Sequence, residues 1–167
     1  MRTGIALGSN IEPRLASLQA ARRQIDLLHA GSQPVLCSKV YETSPVHCPP
    51  GSPLFLNAVL ELFMQDEPQE FLEKLQRIEQ TLGRRPTATR NSPRVIDLDL
   101  LYCENIVTST THLTLPHPRI AERLFVLRPL ADIRPELILP TFSQKVEELL
   151  REVSTAGHLT VYCNSIY

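Results

Sequence analysis

Two aspartates, Asp97 and Asp99, interrupt an otherwise apolar run, "PRVIDLDLLY" from Pro93 to Tyr102. Valine, isoleucine and leucine favour a pleated, half-buried backbone, whereas aspartate is depleted from strands and costly to bury unless it is paired or bound to a metal. Side chains alternate across a strand, so Asp97 and Asp99 share one face while Ile96, Leu98 and Leu100 take the other. At about 3.3 Å per residue their Cα atoms lie about 6.6 Å apart, near enough for the carboxylates to converge on shared cations. Without cations, two ionised carboxylates at about that separation repel by roughly 2 to 3 kcal/mol at an effective dielectric of about 20. Oxygen-only ligands suit magnesium, commonly held by one or two carboxylates plus substrate phosphates, and a two-magnesium site holds its ions about 3.5 to 4 Å apart. A plainer alternative stays open, in which both aspartates decorate the solvated face of an amphipathic strand.

The segment before the strand weighs against that alternative. Arg84, Arg85, Arg90 and Arg94 fall in an eleven-residue window that ends three residues before Asp97. Guanidinium groups bind phosphate oxygens in bidentate geometry, and beside metal-binding carboxylates they point to phosphoryl chemistry. No GxxxxGK[ST] or GxGxxG pattern occurs in the chain, so nucleotide recognition does not use a P-loop or a kinase-type glycine loop.

The elements that must position these residues follow from periodicity. "TGIALGSN" is a short strand ended by a Gly-Ser-Asn turn, and Leu15, Leu18, Ala21, Ile25 and Leu28 then recur at helical spacing. "VLCSKVYET" alternates as one strand, and the proline-rich "SPVHCPPGSP" is a loop. "LFLNAVLELFM" is a second long strand, and "PQEFLEKLQRIEQTLG" is a helix opened by Pro68 and closed by Gly83. With the aspartate strand, the order is strand, helix, strand, strand, helix, strand. It predicts an α+β, ferredoxin-like βαββαβ core: an antiparallel sheet with helices on one face and the other face left for a ligand. "HPRIAERLFVLRPLADI" and "SQKVEELLREV" read as helices of a carboxyl-terminal helical and strand extension.

At 167 residues with 43% hydrophobic content, the chain suits one domain over 1–167. Its net charge of -1 supplies no global field for nucleic acid or anionic lipid, so an anionic ligand must be met by local charges. Cys37, Cys48, Cys103 and Cys163 lie far apart without zinc-ligand spacing, which favours free thiols over a disulfide framework and, with no secretory apolar region after Met1, a cytoplasmic protein.

Taken together, "ALGSN", "YETSPV", "FLNAVLEL", "RIEQTLGR", "PRVIDLDLLY" and "LTLPHPRIAERLFVLRPLADIRPEL" make the chain similar, from about Ile5 to Leu139, to the 6-hydroxymethyl-7,8-dihydropterin pyrophosphokinases of folate biosynthesis. The pairing of PR-x-x-D-L-D-L with PHPR-x-x-x-R-x-F-V-L-x-P-L carries most of that resemblance. It implies transfer of pyrophosphate from ATP to the pterin hydroxymethyl group, with release of AMP. Asp97 and Asp99 match the aspartates that hold two Mg²⁺ ions along the ATP phosphates, and Arg84 and Arg94 match the phosphate-gripping arginines. Arg123, His117, Leu72, Gln76, Leu100 and Thr114 match further ATP-site positions. Phe55 and Phe125 match the two aromatics that sandwich the pterin, Asn57 its ring-edge partner, and Thr43, Pro45 and Val46 a contacting loop. The implied partners are these two small molecules, with no nucleic acid, no membrane and a monomeric working state.

Some positions depart from the family. Asn91 and Ser92 stand where tryptophan and glycine precede the Pro-Arg, and Pro86 stands where a second basic residue is found, all in a segment that closes over the site in the family. His47 and Cys48 receive no role. Two other readings stay open: a relative that binds without turnover, and a regulatory or RNA-binding module on the same sheet. RNA-recognition sheets require paired aromatics, and carboxylates on the ligand face oppose a phosphate backbone.

Overall fold

The computed structural model describes residues 1–46, 48, 50–85, 92–154 and 157–167. The expected strand–helix order is present, as β1 (Arg2–Ser9), α1 (Arg14–Asp26), β2 (Leu36–Cys37), β3 (Val40–Thr43), β4 (Phe55–Phe63), α2 (Pro68–Thr81) and β5 (Asp97–Cys103). A two-strand ribbon, β6 (Thr108–Ser109) and β7 (Thr114–Leu115), follows, then α3 (Leu124–Ile133), α4 (Val146–Glu152) and β8 (Leu159–Cys163). The main sheet runs β5-β1-β4-β3-β8, with β2 also on β4, and its pairings are antiparallel.

Alternation sends Ile5, Leu7, Leu56, Ala58, Leu60, Leu98 and Leu100 to one face, where Leu18, Ala21 and Ile25 of α1 and Phe71, Leu75 and Ile78 of α2 complete the main core. The other face is not left open as expected. Val59, Leu101 and Tyr102 pack there against Ile120 and against Val126, Leu127 and Leu130 of α3 and Val146 and Leu149 of α4. A bulge makes this possible. Gly4 pairs with Tyr102 but Ile5 with Leu100, so Leu101 is an extra residue and both Leu101 and Tyr102 face the second core. The face is thus apolar where α3 covers it and polar, at Asp97, Asp99 and Asn57, where it does not.

Other local readings are corrected. The strand expected over "VLCSKVYET" is split, because Ser38 accepts the Val59 N–H with its own Oγ (2.9 Å) in place of a backbone carbonyl. The aspartate strand begins at Asp97 rather than Pro93. The helix read over "HPRIAERLFVLRPLADI" is a 3-10 turn at Ile120–Glu122 and then α3, separated by Arg123 in extended backbone (φ -109, ψ 103). β6 and β7, two residues each, are too short to show a period, and β8, whose middle residues are exposed, has no apolar alternation to reveal it.

Candidate active site

The uncovered end of the second face is a cleft of about 730 Å³, its open mouth included, lined from β1, β3, β4, β5 and α3. Strand register builds its floor. Gly8 pairs with Asn57 on one side and with Asp97 on the other, so three strands deliver these residues in one row. A Cβ on Gly8 would stand 3.2 Å from Asn57 Oδ1 and 3.9 Å from Asp97 Cβ, so glycine keeps the floor low. Asn57 is fixed by donating from Nδ2 to Thr43 Oγ1 at 2.7 Å, across β4 and β3. Its Oδ1 stands over Gly8, at the floor of the cleft.

Thr43, Val46, Phe55, Asn57 and Phe125 all line this end, and Pro45 lies between lining residues Ser44 and Val46. Phe55 and Phe125 are half-buried, and Phe125 also packs against the second core. The break at Arg123 sets Phe125 in the first turn of α3, with the Arg123 guanidinium 5.6 Å from its ring centroid.

The charged end is a ladder of ion pairs. Asp97 accepts from Arg84 at Oδ1 (2.8 Å) and from Arg94 at Oδ2 (2.8 Å), and Asp99 Oδ2 pairs with Arg123 at 3.0 Å. Arg94 is held in turn by Asn10, whose Oδ1 accepts the Arg94 N–H at 2.8 Å and whose own N–H bonds to the Arg94 carbonyl at 3.2 Å. Asn10, the residue after β1, therefore serves the site; Gly8 and Ser9, read from the sequence as part of a turn with it, are instead the last paired residues of the strand.

Glu79 is the second residue sequence reasoning missed. It is 5% exposed, takes the Leu98 N–H on Oε1 at 2.7 Å, and bonds the Arg84 guanidinium. Leu98 lies between the two aspartates, so this carboxylate ties α2 to the free edge of β5. The signal was present, since Glu79 falls on the buried stripe of α2 with Phe71, Leu75 and Ile78. Burial, with Asp97 adding repulsion, pushes its pKa up to about 7 against the pull of Leu98 N–H and Arg84. With the folded value above the ordinary 4.5, the native state binds the extra proton. The stabilisation is then fully present below about pH 4.5 and lost as pH rises through about 7. Glu79→Gln stays neutral, so the thermal midpoint of wild type minus variant should fall between about pH 5 and pH 7.5. A flat difference would mean that Glu79 is ionised throughout.

The remaining expected ATP-site residues are more dispersed. His117 is half-buried; its backbone N–H bonds to Leu101 O (2.8 Å) and its Nδ1 accepts the Arg119 N–H (3.1 Å). Burial lowers its pKa and favours the neutral ring, and because Nδ1 accepts the Arg119 N–H, the neutral form carries its proton on Nε2. Thr114 is half-buried on β7, Leu72 packs against the main core and Gln76 is exposed on α2. Leu100 is 3% exposed within the main core, so its side chain does not face the cleft. Arg119, not singled out from the sequence, lines the cleft, as does Cys48. Pro86, Arg90, Asn91 and His47 lie outside the described residues, and Ser92 precedes the lead-in to β5.

The donor set fits magnesium of one kind only. Among the described residues no group of three or more His, Cys, Asp or Glu side chains converges as a metal cage. Two carboxylates alone leave most of an octahedral shell to be filled by water and phosphate oxygens, which is how magnesium is held with nucleotides. All four cysteines are free, and among the described residues no helix is long and apolar enough to cross a membrane.

Comparison with known proteins converges on one family. A family model described as 7,8-dihydro-6-hydroxymethylpterin-pyrophosphokinase matches residues 4–135. A Haemophilus influenzae 2-amino-4-hydroxy-6-hydroxymethyldihydropteridine pyrophosphokinase is 36% identical over 96% of each chain, and its Bacillus subtilis namesake is 44% identical over 77% of this chain and 75% of its own. The folic acid synthesis protein fol1 of Schizosaccharomyces pombe is 36% identical over 92% of this chain, which spans 20% of its length. A solved HPPK-DHPS from Plasmodium falciparum superposes with a TM-score of 0.70 at 14% identity, over 90% of this chain and 45% of that one, a likeness of fold. With the sequence match running through every strand that floors the cleft, this chain belongs to the 7,8-dihydro-6-hydroxymethylpterin-pyrophosphokinase family.

Proposed function

We propose that the chain transfers the pyrophosphoryl group of ATP to the hydroxymethyl oxygen of 6-hydroxymethyl-7,8-dihydropterin, giving the pterin diphosphate and AMP. One observation carries this reading. A single cleft holds two half-buried phenylalanines and an anchored asparagine at one end, and two aspartates within an arginine ladder at the other. The first set suits a flat heterocycle with a polar edge, the second a polyphosphate with its cations.

In the mechanism we infer, the pterin hydroxyl oxygen attacks the β-phosphorus in line and AMP leaves. Phe55 and Phe125 stack the ring, and Asn57 with the Thr43–Val46 segment reads its edge. Arg84, Arg94 and Arg123, paired with Asp97 and Asp99 here, turn toward phosphate oxygens when ATP binds and stabilise charge on the bridging and leaving oxygens. Two Mg²⁺ ions held by Asp97 and Asp99 would supply the screening that lets an anionic polyphosphate approach two carboxylates. Leu72, Gln76, Leu100, Thr114 and His117 serve the nucleotide, with Leu100 limited to its backbone. Positioning and electrostatics carry the rate, as in other phosphoryl transfers. We propose a cytoplasmic monomer with a single domain over 1–167 as the working unit, a reading that the free cysteines support.

Product analysis with ATP, Mg²⁺ and the dihydropterin tests the reading: metal-dependent AMP and a pterin diphosphate support it, whereas ADP would show a different transfer. Phe125→Ala should raise the pterin dissociation constant about tenfold, from lost stacking and burial. An unchanged constant by fluorescence titration would return that ring to the core.

A further inference from the structure

Behind the lining segment at the pterin end of the cleft runs a strand that lies beyond the residues the family model matches. Matched residues stop at 135, whereas β8 begins at Leu159. It pairs with β3 so that Thr43 faces Leu159 and Glu42 faces Thr160. Just beyond that pairing, the Ser44 N–H donates to the His158 carbonyl at 3.0 Å and the His158 N–H donates to Ser44 Oγ at 2.9 Å. Ser44 itself lines the cleft between Thr43 and Val46. The clamp depends on a glycine. Gly157 sits at φ +105, and a Cβ built on it meets Ser44 Cβ at 3.6 Å, so the turn into β8 brings the chain against Ser44 in a conformation few other residues adopt.

The same segment is tied inward. Thr43 Oγ1 receives the Asn57 amide, and Glu42 receives Arg14, which also donates to the Leu54 carbonyl at 3.1 Å, next to Phe55. A shift of β8 would therefore pass through Thr43 and Ser44 to the asparagine and the ring at the floor. Resting on the functional reading above, we propose that the carboxyl-terminal strand is a working part of the pterin subsite, and that Ser44, through its clamp on His158, is a positioning residue for pterin binding.

The test compares full-length Ser44→Ala, which loses the acceptor oxygen, with Ser44→Thr, which keeps it. Dissociation constants for the dihydropterin and for ATP are measured beside amide exchange at His158. Loss of one hydrogen bond predicts a rise of about fivefold in the pterin constant for Ser44→Ala, a near-wild-type value for Ser44→Thr, and little change in ATP affinity. A pterin constant unchanged in Ser44→Ala while His158 exchange accelerates would overturn the inference alone, leaving β8 a structural edge. Equal losses for pterin and ATP would overturn it too, as general destabilisation. Wild-type protein that binds no pterin would overturn the functional reading and the inference together.

Discussion

Asp97→Ala and Asp99→Ala each lose turnover by roughly a hundred- to a thousandfold, the scale seen when a preorganised electrostatic group is removed, while pterin affinity stays within a few-fold of wild type. The separation of effects follows from where the residues sit. Both carboxylates line the charged end of the cleft, whereas Phe55, Asn57 and Thr43 hold the other. Asp97 has the larger second role, because Arg84 and Arg94 both close on it at 2.8 Å. Without it two guanidiniums face each other, and part of the loss comes from their splaying. Asp97→Asn keeps the shape and half of the acceptors but not the charge, so it should restore the arginines more than it restores turnover. Single-turnover rates with saturating pterin and ATP across a magnesium series check this. Wild-type rates in either alanine variant would remove Asp97 and Asp99 from the chemistry.

Glu61→Ala lowers unfolding free energy by about 3 kcal/mol, the low end of what is lost when one partner of a buried charge pair is removed. Glu61 is 2% exposed and accepts from Tyr102 Oη at 2.6 Å and from Arg134 at 2.6 and 2.8 Å, with Arg2 at 3.6 Å. The alanine variant leaves the Tyr102 hydroxyl buried and unpaired; Arg134, about a third exposed, recovers part of its hydration, which keeps the effect from being larger. Tyr102→Phe removes only one hydrogen bond and should cost about 1 kcal/mol. Urea unfolding of the three proteins gives the comparison, and equal midpoints would show that the network is dispensable. The network matters to the site because it locks α3 onto β4 and β5, and α3 carries Phe125 over the cleft.

The parts of this protein legible in the sequence are those carried by short-range geometry. The alternation in β5 put Asp97 and Asp99 on one face, the 3.6-residue spacing of α1 and α2 gave the main core, and Pro68 and Gly83 marked the ends of a helix. Periodicity reads these because each depends on neighbours a few positions away. The resemblance then supplied what periodicity cannot, the expectation that two of the five phenylalanines, Phe55 and Phe125, stack a ligand.

Long-range contacts decided the rest. A one-residue bulge at Leu101 turned the second face into another core, and only the register with β1 shows it. Asn10 and Glu79 look like a turn residue and a misplaced charge until Arg94, Arg84 and Leu98 are brought to them from far along the chain. By itself, the sequence determined the strand–helix order, the shared face of the two aspartates and, through the family pattern, the chemistry to expect. Only the tertiary structure decided how far that face is open, which arginine holds which carboxylate, and that the last strand pairs with β3 and holds Ser44 at the edge of the cleft, because burial and pairing between distant residues are set by register and packing rather than by local sequence.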